Sequence, residues 1–137
     1  KRTSNNGSHT KNLFLKNKKN QFILFSCLES EIFQIKKFSQ TIGYNNLSFA
    51  KTNYLRDILG IYPGAVSPFA LLNDTDNLVN FYLEEKIYNS ELVNFHPTIN
   101  TSTICLKTSD FITFMIENNK KIHIFSIEKN LIIKTYE

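Results

Sequence analysis

Two apolar runs separated by a short polar turn constrain this chain more than any other feature. Leu13-Phe14-Leu15 begins a short strand, Asn17-Lys18-Lys19-Asn20 has turn chemistry, and Gln21 to Cys27 is a second, strongly apolar strand. Together they predict a β-hairpin. Glu29 to Thr41, with Ile32, Phe33, Ile35, Phe38 and the following Ile42, has the spacing of an amphipathic helix. Gly43 is its stop. Leu47 to Ala50 reads as a short strand, and Lys51 to Leu59 as a second helix ended by Gly60.

Further on, Pro63-Gly64 marks a loop. Val66 to Leu72 is expected to be a strand, Asn73 to Asn77 a turn, and Leu78 to Leu83 a returning strand. Leu92 to Phe95 and Thr103 to Leu106 are short strands. Ser109 is the expected N-cap of a helix reaching Asn118, with Asp110 at its positive end. Lys121 to Ile127 alternates as a final strand. The pattern predicts an α/β domain of the α+β type, with a mixed, largely antiparallel sheet and about three helices.

The 137 residues suggest one domain, with residues 1–9 as a flexible lead-in and 128–137 as a tail or linker. Leu131-Ile132-Ile133 in that tail could add a strand. No apolar run approaches the ~18 residues of a membrane span, and the polar start is not a secretory signal. Cys27 and Cys105 read as two buried thiols, compatible with a reducing compartment. No Cys/His cluster has metal-ligand spacing. A net charge of +4 permits an anionic partner such as RNA without demanding one. The abundance of Asn, Lys, Ile and Phe reads as the imprint of an A+T-rich genome. Glu84-Glu85 reads as a solvated strand end, and no carboxylate pair has an acid/base arrangement.

Three segments carry a resemblance. Thr10-Lys11-Asn12-Leu13-Phe14-Leu15, then Gly64-Ala65-Val66-Ser67-Pro68 followed by Phe69-Ala70-Leu71-Leu72-Asn73-Asp74, then Phe95-His96-Pro97, occur in this order. They resemble the YbaK/ProX family of aminoacyl-tRNA editing domains, and its ProX branch most. The resemblance covers roughly residues 9–127. It implies a curved sheet flanked by helices. It also implies an N-terminal family region, several dozen residues long, that this chain lacks before its Thr-Lys-Asn-Leu strand.

The resemblance further implies a metal-independent hydrolase without a cofactor, acting in the cytoplasm on alanine-charged proline tRNA, Ala-tRNA(Pro), in cis or in trans to prolyl-tRNA synthetase. It assigns catalysis to Lys11, Gly64 and His96. An ammonium at Lys11 can hold the terminal phosphate or sugar of the 3′ adenosine. Asn12 offers a donor and an acceptor to ribose or amine. Gly64, Ala65, Val66, Ser67 and Pro68 form the loop facing the ester. A tetrahedral oxyanion needs fixed N–H donors, Gly64 admits close approach, and Pro68 restrains the loop.

His96 lies in the alanyl pocket by resemblance. By spacing alone it has no Ser or Asp partner, and no Gly-x-Ser-x-Gly element exists. Lys16, Lys18 and Lys19 are solvated surface or contacts to acceptor-stem phosphates. Two other readings stand beside this one. The chain could deacylate another small aminoacyl-tRNA such as Cys-tRNA(Pro), or be a non-catalytic tRNA-binding module of a prolyl-tRNA synthetase.

Overall fold

The hairpin forms around a buried asparagine. Asn17 Oδ1 accepts from the main-chain N–H groups of Lys19 (3.0 Å) and Gln21 (2.9 Å). Asn20 takes the left-handed conformation that closes the turn (φ 58°). The computed structural model, which describes residues 8–62, 66–95 and 104–137, shows β1 (Ser8–Lys16) and β2 (Phe22–Leu28) paired antiparallel from Thr10↔Leu28 to Lys16↔Phe22. Residues 8 and 9, expected in the lead-in, are therefore strand.

Next come α1 (Ile35–Ile42), β3 (Ser48–Phe49) and α2 (Thr52–Tyr54), which continues as a wider π turn over Leu55–Leu59. A 3-10 helix spans Pro68–Asn73. Then follow β4 (Val79–Glu84), α3 (Glu85–Tyr88), β5 (Leu92–Phe95), β6 (Ile104–Lys107), α4 (Thr108–Glu117), β7 (Ile122–Ser126) and β8 (Leu131–Tyr136). The sheet runs β6-β5-β1-β2-β4-β7-β8, with β3 also on β1. The pairs β1–β5, β2–β4 and β4–β7 are parallel; β1–β2, β1–β3, β5–β6 and β7–β8 are antiparallel. The sheet is mixed and flanked by helices.

Strand alternation divides the core between the two faces. Phe14, Phe22, Leu24, Phe81 and Leu83 meet Leu55, Leu59, Leu71, Phe111 and Met115 on one side. Leu15, Ile23, Phe25, Tyr82 and Phe125 meet Phe38 of α1 on the other. Phe38 is the hub there, its ring 5.1 Å from Phe25, 5.1 Å from Phe33, 5.3 Å from Tyr82 and 4.9 Å from Phe125. Such pairs add about 0.5–1.5 kcal/mol each beyond simple burial. Gly60 ends the second helical segment at φ 66°, as expected. A Cβ there would lie 3.4 Å from Asn73 Nδ2, which donates to Leu59 C=O (2.8 Å).

Several expectations are corrected. The helix expected from Glu29 starts only at Ile35, because Glu31 N–H turns back to Leu28 C=O and Lys11 Nζ donates to Glu31 C=O. The strand expected over Val66–Leu72 is the 3-10 helix. Ser67 Oγ accepts from Phe69 N–H (3.2 Å), and Pro68 occupies the first helical position, where its missing N–H costs nothing. Ser67→Ala should therefore cost about 1 kcal/mol in a urea melt; no change would mean the cap is idle. Ser109 is not an N-cap: α4 begins one residue earlier, with Thr108 N–H on Glu91 C=O (2.9 Å). Glu84 is 1% exposed rather than solvated, and Cys105 is exposed rather than buried. The tail over 131–136 is the edge strand β8.

Candidate functional site

β1 has two different neighbours along one edge. Its first residues pair with β5 (Ser8↔Val93, His9↔Asn94), and its last with β3 (Leu15↔Phe49, Lys16↔Ser48). Among the described residues, the two neighbours leave a split in the sheet alongside Thr10 to Leu13. Thr10 closes one end of it, its Oγ1 donating to Asn94 C=O (2.8 Å). Phe14 C=O closes the other, accepting from Ala50 N–H (2.9 Å). Main-chain groups alternate in direction along a strand, so those of Asn12 point the same way as those of Phe14, into the split.

The side chain of Asn12, beside that split, holds two other segments. Its Nδ2 donates to Val66 C=O (3.1 Å), and its Oδ1 accepts from Ser26 Oγ of β2. Ser26 is fully buried, so this bond sets which way the amide points. The structure thus brings together Asn12 and the Val66-Ser67-Pro68 end of the predicted loop. Gly64, Ala65 and His96 lie outside the described residues, as do Pro97, Asn100 and Thr103.

Lys11 has the parity of Leu13 and Leu15 and so faces the other side of the sheet from Asn12. Its Nζ donates to Glu31 C=O at 2.6 Å. Opposite it on β2 stands Cys27, whose thiol is pushed up to about 12 by burial, with the Lys11 charge pulling the other way. Burial likewise pushes the Glu84 carboxyl up to about 7, and Glu31 beside it adds to the rise. Glu84 Oε1 accepts from Leu28 N–H (2.8 Å), while Oε2 is buried without a well-formed hydrogen bond among the described residues. Glu31 is held below the usual carboxylate range by its hydrogen bond to Glu84 and by Lys86, 3.1 Å away.

Of the predicted RNA contacts, Lys16 bonds Asn17 C=O (3.1 Å) and sits 5.2 Å from the centre of the Tyr54 ring. Lys18 and Lys19 are exposed at the hairpin tip. Among the described residues no three His, Cys, Asp or Glu side chains converge as metal ligands. No helix there is long and apolar enough to cross a membrane.

Sequence reasoning missed Ser26 and Glu84. The signal for Ser26 was a hydroxyl within an apolar strand. For Glu84 it was period-2 spacing from Tyr82, which places both on the α1 side of the sheet.

The model of a family described as "Aminoacyl-tRNA editing domain" matches residues 2–114. The chain belongs to the aminoacyl-tRNA editing domain family. Within it, prolyl-tRNA synthetase associated domain-containing protein 1 of Bos taurus is 33% identical over 129 residues, 90% of this chain and 75% of that protein. The prolyl-tRNA editing protein ProX of Acetoanaerobium sticklandii is 34% identical over 101 residues, 73% of this chain and 62% of that one. A solved structure of a candidate trans-editing enzyme for prolyl-tRNA synthetase superposes with a TM-score of 0.62 at 16% identity, covering 85% of this chain and 68% of the other. At that identity the likeness concerns the fold of the editing domain.

Proposed function

We propose that this editing domain hydrolyses the ester of Ala-tRNA(Pro), releasing alanine and tRNA with a free 3′-terminal ribose. The observation that carries the reading is the Asn12 bridge, which ties Val66, at the described end of the predicted loop, to β1 in a chain from the editing family. One relative named for prolyl-tRNA editing and one named as a prolyl-tRNA synthetase associated domain-containing protein support proline tRNA as the nucleic acid.

In this mechanism the aminoacyl end lies against the loop, whose amides face the developing oxyanion. Water attacks the carbonyl carbon, the acyl C–O bond breaks, and the ribose oxygen takes up a proton. His96 recognises the alanyl group. Lys11 emerges on the other side of β1 and takes the phosphate or sugar of the terminal adenosine, exchanging its bond to Glu31 C=O for one to substrate. The substrate straddles β1, which explains why adjacent residues on opposite faces both serve it.

Editing is needed because a proline-activating site cannot exclude a smaller side chain. Each missing methylene lowers binding by only ~1–3 kcal/mol. A second pocket too small for the proline ring restores accuracy. The domain acts in the cytoplasm, in cis or in trans to the synthetase.

The test is deacylation of Ala-, Cys- and Pro-tRNA(Pro) side by side. Alanine is expected to be released at least tenfold faster than either of the others. Faster loss of cysteine would overturn the alanine preference. No release from any of the three by folded protein would leave a tRNA-binding module.

A further inference from the structure

The charge of the chain is divided along its length. Residues 1–56 hold ten Lys and Arg against two acids, Glu29 and Glu31; residues 57–137 hold six against ten. The basic part forms β1, β2, α1, β3 and α2. Its two acids follow β2, beside the Thr10 end of the hairpin, and Glu31 is engaged with Lys86. The opposite end holds the hairpin tip and β3; Ile32 to Arg56 carries no carboxylate in sequence, while Asp74 and Asp76 precede β4, whose first residue pairs with Phe22 beside that tip.

At this end α1 and β3 enclose an open cavity of about 610 Å³, bordered by Lys36, Gln40, Asn45, Asn46, Ser48 and Phe49 among others, with no acid in its lining. Phe49 is 60% exposed although it lies in a strand. Its partner across the ladder is Leu15, three residues along β1 from Asn12, roughly 10 Å. Lys36 and Lys51 are exposed on either side of it in sequence, and Lys18 and Lys19 extend beyond at the hairpin tip. An exposed aromatic ring beside a cavity lined by amides and Lys36, on the sheet face that carries Lys11, has the chemistry of a surface that binds RNA with unpaired bases. The ring offers a stacking face, the amides reach base edges, and the lysines take phosphates.

We propose that the α1–β3 face is where the acceptor end of the RNA docks, with Phe49 stacking an unpaired nucleotide near the 3′ end and Lys36 and Lys51 holding phosphates beside Lys18 and Lys19. This rests on the reading that the substrate is a charged tRNA. It adds the path by which the strand reaches β1.

The probe is an uncharged, fluorescent RNA minihelix with a single-stranded 3′ end, and the same duplex made blunt, titrated by anisotropy at several salt concentrations. The Lys36→Glu/Lys51→Glu protein should bind both RNAs at least tenfold more weakly and lose about two from the slope of log K against log salt. Phe49→Ala should weaken the overhanging minihelix about tenfold or more, leaving the blunt duplex and the salt slope unchanged. Lys121→Glu, just before β7 and three strands across from β1, should bind like wild type. All four positions are exposed, so unchanged unfolding midpoints are expected as a check.

Wild-type affinity and slope in the double variant would overturn the proposal. So would equal losses in the Lys121 variant, or a Phe49 effect that ignores the overhang. Binding needs no chemistry, so the two readings separate. RNA docking as described without any deacylation would remove the editing reading alone, and deacylation with RNA binding indifferent to these variants would remove the docking face alone.

Discussion

Asn12→Ala should lower kcat for Ala-tRNA(Pro) deacylation by about 10²–10³-fold with little change in KM. The amide holds two elements at once: Val66 C=O through Nδ2 and the buried Ser26 Oγ through Oδ1. Alanine leaves Ser26 without its acceptor and frees Val66, in the loop proposed to carry the oxyanion donors. Losing one such donor costs two to three powers of ten, and a 1 Å displacement of a reacting group costs about 10²-fold. KM should hold because the contacts proposed for the nucleotide end, from Lys11 outward, are untouched. Folded stability should fall by about 1–3 kcal/mol, the cost of a buried polar group left unpaired.

Asn12→Asp separates the two roles. Its carboxylate can still accept from Ser26 but opposes an oxygen to Val66 C=O, so the rate loss should remain while the Ser26 bond survives. Single-turnover kinetics under saturating enzyme would decide. A kcat within threefold of wild type in both variants would remove Asn12 from the mechanism.

The second large effect is a pH dependence of stability set by Glu84. Burial, and Glu31 next, raise its carboxyl to about 7 from an ordinary value of 4.5. Below 4.5 the group is protonated in both folded and unfolded chains and has no effect. Between 4.5 and 7 the unfolded chain releases a proton that the fold retains, so stability falls as pH rises. Above 7 the cost is fully developed, about 3 kcal/mol. Glu31 works in the opposite sense. Its lowered carboxyl contributes stability above its unfolded value, lost as pH falls through the folded one. The two together place the stability maximum on the acid side of neutral.

Cys27, at about 12, stays a neutral thiol throughout this window. Glu84→Gln keeps the acceptor for Leu28 N–H and removes the ionisation. It should flatten the curve between pH 5 and 8 and be more stable than wild type at pH 8. Urea melts at pH 5, 6, 7 and 8 would show it; parallel curves for the two proteins would contradict the assignment.

Much of the architecture is legible locally. Asn17 and Asn20 specify the hairpin turn, Gly43 and Gly60 stop their helices, and the apolar runs of β2, β4 and β7 allow little besides strand. The family, too, is readable from three short segments that stand in one order along the chain. These features depend on neighbours within a few positions, and local propensity suffices for them.

The arrangement of the site is decided by pairing between distant segments. Strand alternation was available from the sequence at Lys11 and Asn12, but which face holds the loop depends on where Val66 returns, fifty-four residues later. Glu84 looked solvated beside Glu85, yet β4 runs between β2 and β7 under α1, so the carboxylate is buried wherever that layer closes. Val66 to Leu72 had a strand's composition, but Ser67 caps a helical turn there and Pro68 takes its first position. Among the described residues β5 and β3 share one edge of β1, and neither pairs with it alongside Asn12. Burial and edge pairing are properties of the assembled sheet, and a residue's own neighbours in sequence carry almost no information about them.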